Sequence, residues 1–368
     1  MACRSLRTRL AAFGAVLLAT GTLTAGCGQL RSVDSRAMVT GVALDAGPKP
    51  GSVRVMLQWY HVSNPAAASG NSPSVLLASR EAPGAGVAAA VAAIQADTDR
   101  QISFGETQVV LVSDRLARLG VARYLDYFVR KASISQVAQV VVIHGSASTF
   151  LKEGEKSGTA FAIYEYMATA RSVSSSMVPI PMWRFLGLAY SSREAAWAPL
   201  MELKGQHFAG AGTALFQGDR MVGSLSLRQT VAFSWVRHVS ALGDIEASLP
   251  DGAPLALRVR GASAHRSIDS RGMGHIDLSL TAEIQEGAGV HLSSSGQAPV
   301  EAIAAHAALA EVRSMVEAAQ RAGSDVLDLG EWQRERSAHV TADWPSSFRR
   351  LPITLRVTVH VQGGGREV

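Results

Sequence analysis

Two short, uninterrupted runs of aliphatic residues constrain the fold of this chain more than any other feature. They are residues 109–112 (Val-Val-Leu-Val) and 140–143 (Val-Val-Val-Ile). Strands that are apolar at every position are buried on both faces, as in sheets that carry helices on each side. The segment between the runs has apolar residues at helical spacing after Asp114, which we expect to cap that helix. This order predicts a sheet covered by helices.

Further elements of the same region follow from local patterns. Strands are predicted at 37–44 and 52–62, where apolar and polar residues alternate, and a short strand is predicted at 75–78. An alanine-rich helix is predicted at 87–97. Residues 157–208 contain Pro179, Pro181 and Pro199 and are interpreted as a helical, loop-rich bridge or small subdomain.

The last third of the chain has a different pattern. Segments 213–216 and 221–225 flank a Gln-Gly-Asp-Arg turn and predict a hairpin, followed by a helix at 227–236. Strict alternation at 276–284 and 351–361 predicts strands with one solvent-facing side, as in an antiparallel sheet. A helix predicted at 299–322, ending at Gly323, would cover that sheet with Leu309, Val312, Val316 and Ala319.

These patterns predict an α+β (mixed α/β) chain of about three small domains, each a sheet covered by helices. The predicted limits are an N-terminal α/β region at 37–208, with a subdomain at about 151–208, and a C-terminal α+β domain at 209–366. The sheet of the C-terminal domain is expected to be mostly antiparallel.

The N-terminus carries the order of an export signal. Arg4, Arg7 and Arg9 precede a short apolar segment, which ends in small residues and Cys27. We expect residues 1–26 to be removed as a lipoprotein signal peptide and Cys27 to receive a diacylglycerol, followed by a polar stalk at 27–36. Two acyl chains make a stable membrane anchor. The alternative is an ordinary secretory signal in which Cys27 is incidental.

Composition excludes several classes of protein. The other cysteine, Cys3, lies in the segment to be removed, so the mature chain has neither a disulfide nor a cysteine metal site. Removal of three arginines and no acid lowers the formal charge from +5 to +2, which does not favour nucleic-acid binding. After residue 26 no apolar stretch approaches the roughly 20 residues of a membrane span.

Motifs for catalysis are weak or missing. Gly84 and Gly86 match only a loosened dinucleotide fingerprint, the histidines lack the spacing of a zinc site, and no Gly-x-Ser-x-Gly elbow occurs. The acidic trio Asp325, Asp328 and Glu331 is interpreted as a helix start or solvated face, not as an acid–base pair. We therefore expect no enzyme activity, no cofactor and no metal.

Four motifs, in order along the chain, carry a family resemblance. They are residues 39–45 after Cys27, 104–120 (beginning Phe-Gly-Glu-Thr-Gln), 212–223, and 322–330 followed by Trp344 and the terminal strand. Together they resemble the Ger(x)C family, the lipoprotein C subunits of spore germinant receptors.

The resemblance implies a non-enzymatic subunit of a receptor complex. Its partners would be two polytopic membrane subunits that sense nutrients, on the outer face of the spore's inner membrane, with no nucleic acid and no small-molecule ligand expected. Gly105, Gln108 and Asp325 would serve either partner contacts or structure. Gly105, Gly212 and Gly323 are expected at turns and caps.

Two other classes of function remain open. An extracytoplasmic solute-binding lipoprotein would need a ligand cleft between similar lobes, and the two halves here have dissimilar patterns. A cell-wall hydrolase would need catalytic carboxylates or a metal constellation, which the sequence does not indicate.

Overall fold

The computed structural model describes residues 36–63, 74–130, 133–157, 160–287, 297–336 and 343–362. Cys27, the expected signal peptide and residues 27–35 of the stalk lie outside the described residues. The strands are β1 (Arg36–Ala46), β2 (Val53–Ser63), β3 (Ser74–Gly84), β4 (Gln101–Ser103), β5 (Val109–Ser113), β6 (Gln139–Ile143), β7 (Trp197–Lys204), β8 (His207–Gln217), β9 (Arg220–Leu225), β10 (Gly243–Ser248), β11 (Pro254–Ile268), β12 (Gly274–Gly287) and β13 (Ile353–Gln362). The helices are α1 (Val87–Ala96), α2 (Asp114–Leu119), α3 (Ala122–Arg130), α4 (Ala147–Ser157), α5 (Ala160–Ser174), α6 (Met182–Ala189), α7 (Leu227–Arg237), α8 (Gln297–Ala322), α9 (Leu329–Arg336) and α10 (Trp344–Arg350).

The first sheet runs in the spatial order β3-β2-β1-β5-β6-β7-β8-β9, and β4 also pairs with β1. The central neighbours β1 and β5, β5 and β6, and β6 and β7 are parallel. The outer pairs on both sides are antiparallel. The centre is therefore an α/β arrangement with antiparallel wings, which agrees with the predicted mixed fold class.

The two aliphatic runs are buried on both faces, as predicted. Their residues alternate between two cores. Val110, Val112, Val140 and Val142 pack in one core with residues of α1, α3 and α6, whereas Val109, Leu111, Val141 and Ile143 pack in the other with residues of α4 and α5. Because each run meets helices on both sides, it needs no polar face.

The helix predicted after Asp114 is broken into two, and Ser113, not Asp114, is its cap. The Ser113 side chain accepts from Leu116 N, and Asp114 is the first helical residue. The break comes at Gly120, whose φ of +105° suits glycine. Asp219, in the β8–β9 turn, then accepts from Ala122 N at 3.2 Å, so the hairpin caps the start of α3.

The segment 157–208 contains more strand than predicted. β7 and the start of β8 lie there, and β3 is longer than the predicted 75–78. Pro199 argued against a strand, since proline donates no hydrogen bond to a ladder. The structure accommodates it because β7 pairs with β6 only at Leu200 and Met201.

The second sheet has the order β10-β11-β12-β13. Its first two pairs are antiparallel, as expected, but β12 and β13 are parallel because three helices intervene between them. The sequence analysis also missed β10 and β11. α8 covers this sheet through an apolar stripe in which Leu309 is only half-buried; the buried residues are Val300, Ala304, Ala308, Val312, Met315, Val316, Ala319 and Ala322.

The predicted domain limits stay a prediction. The expected boundary at 208–209 falls inside β8, and the first sheet continues through it to β9. Contacts unite Ala37–Val368 in one compact unit. The change from the first sheet to the second comes at α7, between β9 and β10.

Gly212 provides a test of this architecture. It has a φ of +121°, and a Cβ there would lie 2.0 Å from the Leu225 carbonyl oxygen. We expect Gly212→Ala to lower the free energy of unfolding by about 2 kcal/mol or more. Gly105→Ala is the control, since a Cβ at Gly105 meets nothing within 4 Å, and its effect should stay within about 0.5 kcal/mol. Urea unfolding followed by tryptophan fluorescence measures the free energy of unfolding of both variants. Equal losses in the two would contradict the close approach of Gly212 to Leu225.

Candidate functional site

The edge at which the parallel strands begin carries the motif 104–108. Thr107 N donates to Phe104 O at 3.1 Å and closes a turn, with Gly105 exposed at its tip. Thr107 Oγ1 donates to Val39 O at 3.0 Å, and Gln108 N donates to Thr40 O at 2.8 Å. These hydrogen bonds hold the start of β5 against β1.

Gln108 and Gln139 hold equivalent positions, each directly before one aliphatic run. Gln139 N donates to Gln108 O at 2.7 Å, so the two backbones are neighbours. The residues that follow them pack in different cores, which places the two side chains on opposite faces of the sheet. Each Oε1 is buried and accepts no hydrogen bond from the described residues. A buried acceptor without a donor carries a cost in free energy, and each face of the sheet has one such acceptor at this edge.

A groove opens at this edge on the Gln139 side, with a volume of about 560 Å³. We call it the amino-edge groove. It lies between the start of β6, one side of α5, the segment before α6 and the chain after α7; the lining includes Val137, Gln139, Tyr164, Arg171, Pro181 and Val239. Gln139 Nε2 donates to Val137 O at 2.8 Å, and an Arg171 N–H donates to Val239 O at 3.3 Å.

Large apolar side chains are exposed at the rim of the amino-edge groove. Val137 is 66% exposed, Trp183 57% and Tyr164 38%. Trp183 does not line the groove, but its backbone N donates to Gln136 O, at 3.5 Å, so its backbone lies close to Val137. Single exposed apolar residues are ordinary, but Val137 and Tyr164 on the wall of a concavity, with an exposed Trp183 close by, are typical of contact surfaces.

Asp325 lies elsewhere and is fully buried. Its carboxylate accepts from Gly330 N at 2.7 Å, from Trp344 Nε1 at 2.8 Å, and from the backbone N of Leu327 and Leu329. Burial raises the pKa of Asp325, while these N–H donors and Arg237 act to lower it. Asp325 therefore caps α9 from the interior, which corresponds to the helix start and not to the solvated face, the two roles considered from the sequence.

An ion cluster lies beside this cap. Arg237, only 8% exposed, contacts Asp328 at 3.2 Å and Glu194 at 4.0 Å. Burial, and then the hydrogen bond and charge of Asp328, raise the pKa of Glu194 to about 7, and Arg237 opposes the rise. The guanidinium groups of Arg184 and Arg237 also lie over the Trp197 ring, at 5.3 and 5.4 Å from its centroid.

The opposite edge of the parallel strands has a polar cavity of about 460 Å³. Asp45 accepts there from Ala147 N at 2.8 Å and Ser148 N at 2.9 Å, and so caps α4. Glu81 pairs with Lys152 at 2.7 Å, and Asp114 lies 3.2 Å from His144. The carboxylates of this cavity are therefore already engaged by donors of the protein.

Among the described residues, no three of His, Cys, Asp and Glu are grouped so that they could hold a metal ion. Within the same ranges, no helix is long and apolar enough to cross a membrane. The amino-edge groove, with apolar walls and polar groups that point to binding, is the surface best suited to a function.

The sequence analysis singled out Gln108 and missed Gln139, Tyr164 and Trp183. A signal for Gln139 was present: the sequence Gln-Val-Val occurs at 108–110 and again at 139–141, at the start of both buried strands. Nothing comparable marked Tyr164 or Trp183, because their exposure depends on how α5 and α6 pack. Gly105 lies exposed in a turn, Gly212 and Gly323 have positive φ angles, and Cys27 lies outside the described residues.

Comparisons with known proteins agree with this architecture. The family described as "Spore germination protein N-terminal domain" matches residues 30–203, and "Spore germination B3/ GerAC like, C-terminal" matches residues 211–365. A solved structure, "Crystal Structure of the GerBC protein", has a TM-score of 0.57 at 15% identity, covering 90% of this chain and 99% of that one. At that identity the likeness shows a shared fold. A comparison with curated proteins gives no significant match.

We expect Asp325→Asn to lower the free energy of unfolding by about 2–4 kcal/mol, because an amide NH₂ would face buried N–H donors. Asp126→Asn is the matched control. Asp126 pairs with Arg130 on the surface, where the loss should stay below about 1 kcal/mol. Urea unfolding of both variants at pH 7 measures the difference, and equal losses would contradict the capping role.

Glu194 should make stability depend on pH. Its pKa in the folded state lies above the unfolded value, so its stabilisation is present at low pH and is lost as pH rises through about 7. Glu194→Gln stays neutral and should be more stable than the wild type by about 1–2 kcal/mol at pH 8, with the gain nearly absent at pH 4, below the unfolded pKa.

Thermal unfolding at the two pH values checks this expectation. The control is Glu246→Gln, at a well-exposed carboxylate paired with Arg228. The change in stability between the two pH values should be larger for Glu194→Gln than for this control. A pH-independent effect of Glu194→Gln would contradict the assignment.

Proposed function

Because the chain belongs to the Ger(x)C family of spore germination proteins, we propose that it is a lipid-anchored, non-enzymatic subunit of a nutrient germinant receptor. The two family regions span most of the chain, in the order expected for the family. In this proposal the protein acts during germination by contacts with other proteins at the membrane.

The anchor is proposed at Cys27. The chain places basic residues, a short apolar segment, small residues and this cysteine in the order of a lipoprotein signal. A diacylglycerol on Cys27 would hold the folded part at the outer face of the spore's inner membrane, where two polytopic subunits would be its partners.

The amino-edge groove is the observation that carries the protein-contact part of the proposal. It combines the exposed Tyr164 side chain, with an exposed Trp183 nearby, an apolar wall and a buried acceptor that has no donor among the described residues. These are properties of a surface that a second protein covers.

The runner-up is an extracytoplasmic solute-binding lipoprotein, which would use the polar cavity at the opposite edge. That cavity is disfavoured because Asp45, Glu81 and Asp114 already pair with groups of the protein. A ligand would have to displace these interactions. The catalytic alternative, a wall hydrolase, has no comparable supporting arrangement among the described residues.

The experiment isolates the tagged full-length protein from detergent-solubilised spore membranes and identifies lipids and co-purified proteins by mass spectrometry. We expect the wild type to carry a diacylglycerol on Cys27 and to bring polytopic subunits with it. Cys27→Ala should lower the membrane-bound fraction at least about tenfold.

Cys3→Ala is the matched control for this experiment, because Cys3 lies in the segment expected to be removed. It should behave as the wild type. A wild-type protein that is unlipidated and purifies alone would contradict both the anchor and the receptor proposal.

A further inference from the structure

We propose that the amino-edge groove binds an extended peptide segment of a membrane-embedded partner subunit. This inference rests on the proposed function and names the surface that would carry it. The competing occupants are a lipid acyl chain and the chain's own residues 28–35.

The polar groups of the groove match a peptide backbone. Gln139 Nε2 is used by Val137 O, but its Oε1 is buried without a donor. Arg171 has five N–H donors, one of which bonds to Val239 O. A peptide brings an N–H and a C=O at every residue: its C=O can accept from Arg171, and its N–H can donate to Gln139 Oε1 once that side chain turns towards the groove. An acyl chain has neither group.

The apolar part of the groove suits the side chains of such a segment. Val137 and Tyr164 line the groove, and Trp183 stands beside it with more than half of its surface exposed. Trp, Tyr and Arg are the residues that most often dominate binding energy at protein interfaces. Their clustering around one concavity favours a protein occupant.

The position of the groove favours a partner in the membrane. β1, β5 and β6 run parallel, so Arg36 at the start of β1 lies at the same edge as Gln139 at the start of β6. Nine residue steps separate Cys27 from Arg36, and a chain of that length spans at most about 32 Å. With Cys27 acylated, the start of β1 at this edge would lie within about 32 Å of the anchor, so the groove is on the edge nearer the attachment point.

Aspartate substitutions beside the groove test whether this surface binds the partner, because they leave Cys27 unchanged. We expect Val137→Asp and Trp183→Asp, in the full-length protein in spores, to stay on the membrane at wild-type levels. Their co-purified polytopic subunits should fall at least about tenfold. Leu119→Asp is the control, at a residue 53% exposed on α2, beyond the opposite edge of the parallel strands, and should change neither quantity. If both variants co-purified polytopic subunits at the wild-type level, the inference would be overturned.

A photo-crosslinker identifies the occupant directly. We expect p-benzoylphenylalanine at position 137 to crosslink to a segment of a polytopic subunit, and the same group at position 119 to give no such product. Crosslinking of position 137 to lipid, to residues 28–35, or to nothing would overturn the inference while leaving the receptor assignment intact. A lipidated wild type that carries no polytopic subunit would instead remove the proposed function itself.

Discussion

The buried carboxylate of Asp325 is the interaction on which the rest of the structure depends. Its segment joins the two sheets: Ser324 Oγ donates to Phe216 O in β8 at 2.7 Å, and Arg266 of β11 donates to Leu327 O at 3.1 Å. Ala195 N, just before β7, donates to Asp325 O at 3.1 Å. A buried charge of this kind is stable only when its donors are fixed in place, so the cap also fixes the elements that supply them.

Most clusters of polar groups in this structure serve to stabilise it, whereas those of the amino-edge groove are available for binding. The charges around Arg237 are inward-facing and matched to one another, and the cavity at the carboxyl ends of the parallel strands is lined by groups that cap helices or form ion pairs. The amino-edge groove differs, since its acceptor at Gln139 is unmatched and its rim is apolar and exposed. A sheet edge with such a groove suits the proposed role of a subunit that acts by contact.

The sequence predicted best where a pattern has one structural solution. Residues 109–112 and 140–143 could be stable only between two layers of helices, and the alternation at 276–284 and 351–361 required a half-exposed sheet. The sequence did not predict features that depend on tertiary contacts. Pro199 lies in β7 because β6 pairs with that strand only at the two residues after the proline. β13 runs parallel to β12 because helices connect the two strands. Asp325 was interpreted as part of a helix start or a solvated face, and its burial, which depends on contacts such as that with Trp344, 19 residues away, carried no signal in the sequence. Tyr164 and Trp183 carried no signal at all.

The central claim is that this protein meets its membrane partners through the amino-edge groove. Hydrogen–deuterium exchange, compared between the isolated lipidated protein and the receptor complex purified from spores, tests it most directly. The account predicts slower exchange in the complex at 136–139, 164–172 and 181–184, with little change at 114–119 around Leu119. Protection confined to the opposite edge or to the second sheet, with the groove unchanged, would contradict it.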